Sequence, residues 1–272
     1  MRRQNSLPQE LAVRVQYLTW SGFRVTIDNG LVVVFDPYLS GAPEGGAPPS
    51  PVQVDDFGRV DFVVVTHSTE DHFGAAVELV DRYGCKLVGN KDVAIIAAEH
   101  GCPAKNITRM SAGGWFTYEG LWLKGIQAHH ISMRKGANGS WISGPPLSYF
   151  MRDASGTTLF HGGDTSLHGD MGLYGELYPP DVCMLTIGKL TNVMKPSKGF
   201  IKGGVLPPNE AGVACRLLGA RNAIPMHYVP ETGLGEEFCE EVRQRSPQTT
   251  PIIMKPGEER EFVAASSLVG VA

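Results

Sequence analysis

Histidine and aspartate are the residue types whose spacing stands out in this chain. The segment His67-Ser68-Thr69-Glu70-Asp71-His72 follows directly on an apolar run, Phe62 to Val65. With 8 histidines in 272 residues, a shuffled chain of this composition would contain H-x-x-x-D-H about 0.01 times. Imidazole and carboxylate at these spacings converge on a divalent ion when a strand end fixes the loop, which makes His67, Asp71 and His72 candidate metal ligands. A second reading is a helix start, in which Ser68, Thr69, Glu70 and Asp71 cap the first turn and favour its dipole.

Three further segments have the same form, an apolar strand ending on a ligand-type residue. They are Ile126 to His129-His130, Thr157 to His161-Gly-Gly-Asp164-Thr165, and Ala223 to His227. Four strands would then deliver ligands to one sheet edge. Adjacent strand residues point to opposite faces, so only one of His129 and His130 can face a metal. His161 and His168 flank the Asp164 loop and are candidates for donating to substrate or to a supporting carboxylate; buried or surface structural roles fit them equally well. Asp36-Pro37 follows a buried strand, where Asp36 either supports a metal-ligating histidine or forms a turn. His100 precedes Gly101 at a helix stop and needs no further function.

The elements that must position these residues are short. Val13 to Trp20, Phe23 to Ile27 and the run ending at Phe35 read as a meander with an Asp28-Asn29-Gly30 turn. Residues 40–53 and 135–148 are rich in Gly and Pro and read as loops. Helices are expected after Gly74, Asn90 and Asn209, the last two with an Asn N-cap, closing at Gly84, Gly101 and Gly219. Residues 256–272 read as a terminal strand and a loose tail. With no composition break, long polar linker or tandem repeat, residues 1–272 are expected to form a single α/β domain.

Composition excludes several function classes. Lys plus Arg total 24 against 28 for Asp plus Glu, a net charge of −4 with pI about 6.1, so no global positive field gathers nucleic acid or anionic lipid. Apolar runs fall far short of the roughly 18 residues needed to span a bilayer, and no secretory signal precedes them. A soluble, cytoplasmic protein is expected, without nucleic-acid or membrane partners. The 5 cysteines are widely spaced and never form C-x-x-C, and read as small buried hydrophobes.

Taken with YLTWSGFRV and VVVFDPYLSG near the start, VDFVVVTHSTEDHFG, AHHIS, HGGDTSLHGDMGLYGELYPPDVCMLTIG, PPNEA and IPMHY, in that order, the chain resembles the metallo-β-lactamase superfamily. Within it, the likeness is to the branch of small metal-dependent hydrolases that includes L-ascorbate 6-phosphate lactonase, and it covers nearly the whole chain. The resemblance implies a four-layer αβ/βα sandwich, with two mixed β-sheets flanked by helices. It implies that His67 and His130 match ligands of a first metal and that Asp71, His72 and His227 match those of a second. Asp164 matches the carboxylate bridging both, and the spacing after Ala128 favours His130 over His129. The branch's H-x-H-x-D-H carries a histidine where this chain has Thr69, so the first site loses an imidazole. It is expected to be weak, empty, or completed by a neighbour such as His129.

The chemistry implied is hydrolysis. An open metal site lowers the pKa of bound water from about 15.7 toward 7 and polarises the electrophilic oxygen of a substrate. Asp71 and Asp164 are the candidate catalytic carboxylates, orienting the metal-bound hydroxide and relaying its proton. One or two divalent ions per chain are expected, zinc foremost, with manganese and iron compatible with the same donors. Lys189, Lys195, Lys198 and Lys202 lie in an insert after a strand, and Arg134-Lys135 follows the His130 motif. Loops folded over the metals would recognise a small anionic substrate, a phosphorylated or carboxylated lactone, ester or cyclic amide; a solvated basic loop is the other reading. A small-molecule phosphodiesterase and a non-catalytic metal- or metabolite-binding protein with a degraded first site are the alternatives, and homo-oligomerisation is left open.

Overall fold

The chain opens with the expected meander: β1 (Val13–Thr19), β2 (Gly22–Thr26) and β3 (Val32–Phe35) pair antiparallel in sequence. The computed structural model describes residues 12–188 and 204–265. β4 (Phe62–Val64), β5 (Lys86–Gly89) and β6 (Ile107–Arg109) then add in parallel beside β3. Their crossovers carry α1 (Glu70–Phe73), α2 (Ala76–Tyr83) and α3 (Lys91–Glu99).

The second half repeats this plan. β7 (Trp115–Tyr118) and β8 (Leu121–Gln127) are followed by a separate hairpin, β9 (Ser132–Lys135) and β10 (Trp141–Gly144). β11 (Leu147–Arg152) returns to β8, and β12 (Thr158–His161) closes the antiparallel part. Then α4 (Asp170–Leu177), β13 (Val182–Thr186), α5 (Pro208–Leu218), β14 (Asn222–Met226), α6 (Leu234–Arg245) and β15 (Thr250–Pro251) extend the sheet in parallel. Finally β16 (Glu259–Phe262) crosses back to pair antiparallel with β1. The orders are β16-β1-β2-β3-β4-β5-β6 and β15-β14-β13-β12-β11-β8-β7, two mixed sheets of seven strands.

Burial explains the layers. In β3 the alternate residues Val33 and Phe35 join Phe23, Tyr149, Met184 and Ile224 in a core between the sheets, while Val32 and Val34 pack outward onto Leu79, Val93 and Ile96 of α2 and α3. A strand buried on both faces has no polar alternation, which is why VVVF reads as a continuous apolar run. On the far side, Phe160, Cys183 and Leu185 pack against α4, α5 and α6 through Met171, Cys215 and Phe238. The result is the expected four-layer αβ/βα sandwich, two mixed sheets flanked by helices. All five cysteines are free and buried. Among the described residues, no helix is long and apolar enough to cross a membrane.

Three local expectations are corrected. Residues 135–148 are not a loop: Trp141 to Gly144 pair with Lys135 to Ser132, and Gly136 and Gly139 serve the turn between the strands, where Gly139 N–H donates to Gly136 O. Asn209 is not an N-cap, because α5 starts two residues earlier than expected, on Pro208, whose missing N–H costs nothing in a first turn. Asn90, by contrast, caps α3 as expected, accepting from Val93 N–H at 3.0 Å. The third is the pair of helices that periodicity missed. α4 has little amphipathic pattern, and α6 buries only Phe238, Cys239 and Val242 as large or sulfur side chains in a strongly charged sequence. The expected terminal strand is β16, and residues 266–272 of the expected tail lie outside the described residues.

Candidate metal centre

All four ligand-bearing segments leave the sheets at one edge, and parallel strands supply three of them. β4 leads to His67 through His72, β12 to Asp164, and β14 to His227. Carboxyl ends of parallel strands are where such folds gather ligand groups. His130 arrives from β8 in a bend beyond the strand end at Gln127, a bend it shares with His129, so the strand alternation invoked for His129-His130 does not act there.

Two donor groups result, His67/His130/Asp164 and Asp71/His72/His227, with the donor atoms of each within 4.8 Å of one another. Asp164 joins them. Its Oδ1 lies 3.3 Å from His72 Nε2, and its Oδ2 lies 3.6 Å from His130 Nε2 and 3.4 Å from His227 Nε2. Asp71 Oδ2 is 3.2 Å from His227 Nε2 and 3.9 Å from His72 Nε2. The His67 and His72 rings sit 4.1 Å apart.

Asp36 organises the floor. Its Oδ2 accepts from His72 Nδ1 and from Thr66 Oγ1, both at 2.7 Å, and its Oδ1 accepts from Thr66 N–H at 2.8 Å. Because the Thr66 hydroxyl spends its one proton on Asp36, it accepts from His67 Nδ1 at 3.0 Å. One carboxylate thereby assigns both imidazoles the tautomer that leaves Nε2 for the centre. Asp36 is fully buried at a φ of 40°, a strained left-handed value for a non-glycine residue.

The electrostatics call for a cation. Burial opposes ionisation at Asp36, Asp71 and Asp164, yet neighbouring imidazoles outweigh it, His72 at Asp36, His227 at Asp71, and His227 with His72 at Asp164; all three carboxyls are held below the usual range. Burial pushes His67 down to about 3, reinforced by His72. At His72, burial opposes protonation but Asp164 and Asp36 overcome it and raise its pKa well above the ordinary value. Among the described residues no Lys or Arg pairs with these three aspartates, and His72 Nε2 is buried without a hydrogen-bond partner. Two carboxylates converging with four imidazoles, a third carboxylate behind His72 and an orphaned ring nitrogen fit a divalent ion.

The remaining candidates are placed elsewhere. Thr69 occupies the N-cap position of α1, its hydroxyl buried and unbonded, and it belongs to neither donor group. His129 is exposed and stacks on His168 at 4.2 Å. His168 is buried, with neither ring nitrogen bonded. His161 is committed to the fold: Nε2–H donates to Ser21 O at 2.9 Å, Nδ1 accepts from Gly163 N–H at 3.2 Å, and the ring stacks on Phe35. Arg134 pairs with Glu70 at 2.8 Å over the Phe73 ring, and Lys135 lies over Trp141. Lys189, Lys195, Lys198 and Lys202 fall outside the described residues.

The sequence reading missed three contributors. Trp20 donates its indole N–H to Asp71 Oδ2 at 3.2 Å and rests on the His227 ring at 4.2 Å. Gly204, at a φ of 88°, lies against the His130 imidazole where any Cβ would collide with Nδ1. Buried Asp92 accepts from Ser132 Oγ, which in turn accepts from Ser68 N–H at 3.0 Å, buttressing the loop between His67 and Thr69. Nothing in an isolated Trp, Gly or helix Asp signals such roles.

Comparison with known proteins places this geometry. The model of the beta-lactamase superfamily domain matches residues 32–228. A UPF0173 metal-dependent hydrolase of Methanopyrus kandleri is 37% identical, over 92% of this chain and 100% of its own length. One from Rubrobacter xylanophilus is 33% identical, over 90% of this chain and 95% of its own. Among solved structures, a metallo hydrolase of the archaeon Ignicoccus hospitalis superposes with a TM-score of 0.73 at 25% identity, covering 93% of this chain and 99% of that one.

Proposed function

The chain belongs to the UPF0173 metal-dependent hydrolases of the metallo-β-lactamase superfamily, and on that footing we propose that it hydrolyses a small anionic lactone, ester or cyclic amide at a centre held by His67, Asp71, His72, His130, Asp164 and His227. The observation that carries this reading is Asp164, whose two oxygens face different donor groups. When bound there, a divalent ion such as zinc lowers the pKa of water and polarises the substrate's electrophilic oxygen.

The chain's own residues divide the remaining work by exposure. Asp164, 6% exposed, holds the two groups together, whereas Asp71, 38% exposed, is the carboxylate that reaches entering water and orients it for attack. The imidazoles of His72 and His227 keep Asp71 ionised, so it stands as the hydrogen-bond acceptor that orients that water, whose proton passes on to the leaving oxygen or nitrogen. The preference for an anion rests on the lysines of the insert, since Arg134 and Lys135 are engaged with Glu70 and Trp141. L-Ascorbate 6-phosphate is one member of the class to test.

The test is elemental analysis of protein purified without chelator, beside Asp71→Asn, followed by a panel of lactones, cyclic amides and phosphoesters. The expected result is about one or more metals per chain, lost in the variant, with ring-opening acidification and no phosphate release. Phosphate release alone would replace this reading with a phosphodiesterase. Ligand binding that needs no metal and survives Asp71→Asn would make the protein a non-catalytic binder.

A further inference from the structure

The β1–β2 connection is a two-residue turn, Trp20-Ser21. Such turns favour glycine at a first position of positive φ, and here that position holds tryptophan at a φ of 53°. Its carbonyl accepts from His227 N–H at 2.9 Å, and His227 is itself left-handed, at a φ of 62°. Two strained non-glycine residues, more than two hundred positions apart in the chain, are thus bonded backbone to backbone at the centre. Strain of this kind persists where surrounding structure fixes it, and it clusters at functional sites.

The side chain explains why tryptophan stands there. The indole N–H donates to Asp71 Oδ2, the oxygen nearest His227 Nε2 and His72 Nε2, and the ring covers the His227 imidazole. Asp71 follows β4 and His227 follows β14, so Trp20 is the residue that touches both from a third element. Glycine would satisfy the turn, but it could neither aim the carboxylate nor wall the imidazole.

We propose that Trp20 is a positioning residue of this centre, holding Asp71 Oδ2 toward His72 and His227 so that the group accepts its ion without rearranging. This rests on the metal centre proposed above. A hydrogen bond from outside the donor set fixes a ligating carboxylate much as a carboxylate fixes a ligating imidazole, and losing such a partner typically weakens metal binding about 10–100-fold.

The experiment uses the full chain, with Co²⁺ and Zn²⁺ as probes. Trp20→Phe removes the N–H and keeps a ring, and Trp122→Phe, distant on β8, is the control. We expect roughly tenfold weaker Zn²⁺ binding by calorimetry and a shifted Co²⁺ d–d band for Trp20→Phe alone, with thermal stability of the metal-free protein unchanged. Failure of the wild type to bind either ion would overturn the centre itself. Wild-type binding with a Trp20→Phe affinity and spectrum matching the control would overturn only the role of Trp20. Should Trp20→Phe not fold, the indole N–H resonances of the wild type decide: the Trp20 signal, assigned by elimination from Trp115, Trp122 and Trp141 variants, shifts on adding Zn²⁺, and an unmoved signal refutes the proposal.

Discussion

The Asp71/His72/His227 group and the His67/His130/Asp164 group share Asp164 as a neighbour but are supported very differently. In the former, each donor has an outside partner: Asp36 on His72 Nδ1, the Trp20 indole on Asp71, and the Trp20 carbonyl on the backbone of His227. In the latter, Asp164 accepts from Thr186 Oγ1 at 3.1 Å, but His67 reaches Asp36 only through Thr66, and His130 is placed by packing against Gly204, with no hydrogen bond to its Nδ1 among the described residues. Thr69, close to this group, has a buried hydroxyl with no hydrogen-bond partner among the described residues. Ligands whose outer partners are fixed need less ordering on binding. The difference predicts a tight site at Asp71/His72/His227 and a weaker one at His67/His130/Asp164.

The largest effect should come from the residue the two groups have in common. Asp164→Asn removes the charge facing His72, His130 and His227 at once, so metal content and hydrolysis should both fall by more than the roughly 100-fold ceiling typical of supporting residues. Elemental analysis and turnover of the same preparation check this. Retention of one tightly held metal would show the groups to be independent and Asp164 dispensable to the Asp71 group.

Next in size is Asp36→Asn, for which about 10–100-fold weaker metal binding is expected by titration calorimetry. Because Asp36 holds His72 directly and His67 through the Thr66 hydroxyl, both groups should weaken. Thr66→Val removes the hydroxyl that bonds His67 Nδ1 at 3.0 Å and stands 3.4 Å from His72 Nδ1, and should weaken the His67 group more than the other. Equal losses in both groups from Thr66→Val would mean that the relay is not the reason for their difference.

How far this contrast could be read without coordinates follows from the physics of each residue. The donors were legible because each is a chemically unusual residue at the end of an apolar strand: His67 to His72 after Phe62–Val65, Asp164 after β12, His227 after β14. The same runs spoke only for a single α/β domain, the two-sheet sandwich coming from the resemblance to the metallo-β-lactamase superfamily, and Asn90 was legible from its capping chemistry. The supports were not. Trp20 reads as an aromatic strand residue, Ser132 and Asp92 lie on elements far apart in the sequence, and the β9–β10 hairpin is hidden by the glycines of its turn and by Gly144-Pro145-Pro146 at its end. The basic pair Arg134-Lys135 reads as anion-binding until Glu70 and Trp141 are seen beside it. Contacts between distant segments leave no periodicity and no motif, so they emerge only once the two sheets are stacked.

The smallest expected change is a gain, and it addresses the ligand set rather than its supports. Thr69 has ordinary extended backbone, at φ −62° and ψ 150°, which a histidine adopts without strain. A neutral hydroxyl is a poor ligand beside imidazole, so Thr69→His should add a donor to the His67/His130 group and raise bound metal by up to about one ion per chain. The affinity of the Asp71 group should stay where it was, since its partners Asp36 and Trp20 are untouched. Two-phase Zn²⁺ titration followed by elemental analysis separates the sites, and Thr69→Cys offers a smaller ligand if imidazole proves too large for the buried position. If neither variant raises stoichiometry, the missing imidazole is not what distinguishes the groups, and the contrast reduces to their hydrogen-bond supports, which Asp36→Asn and Thr66→Val measure directly.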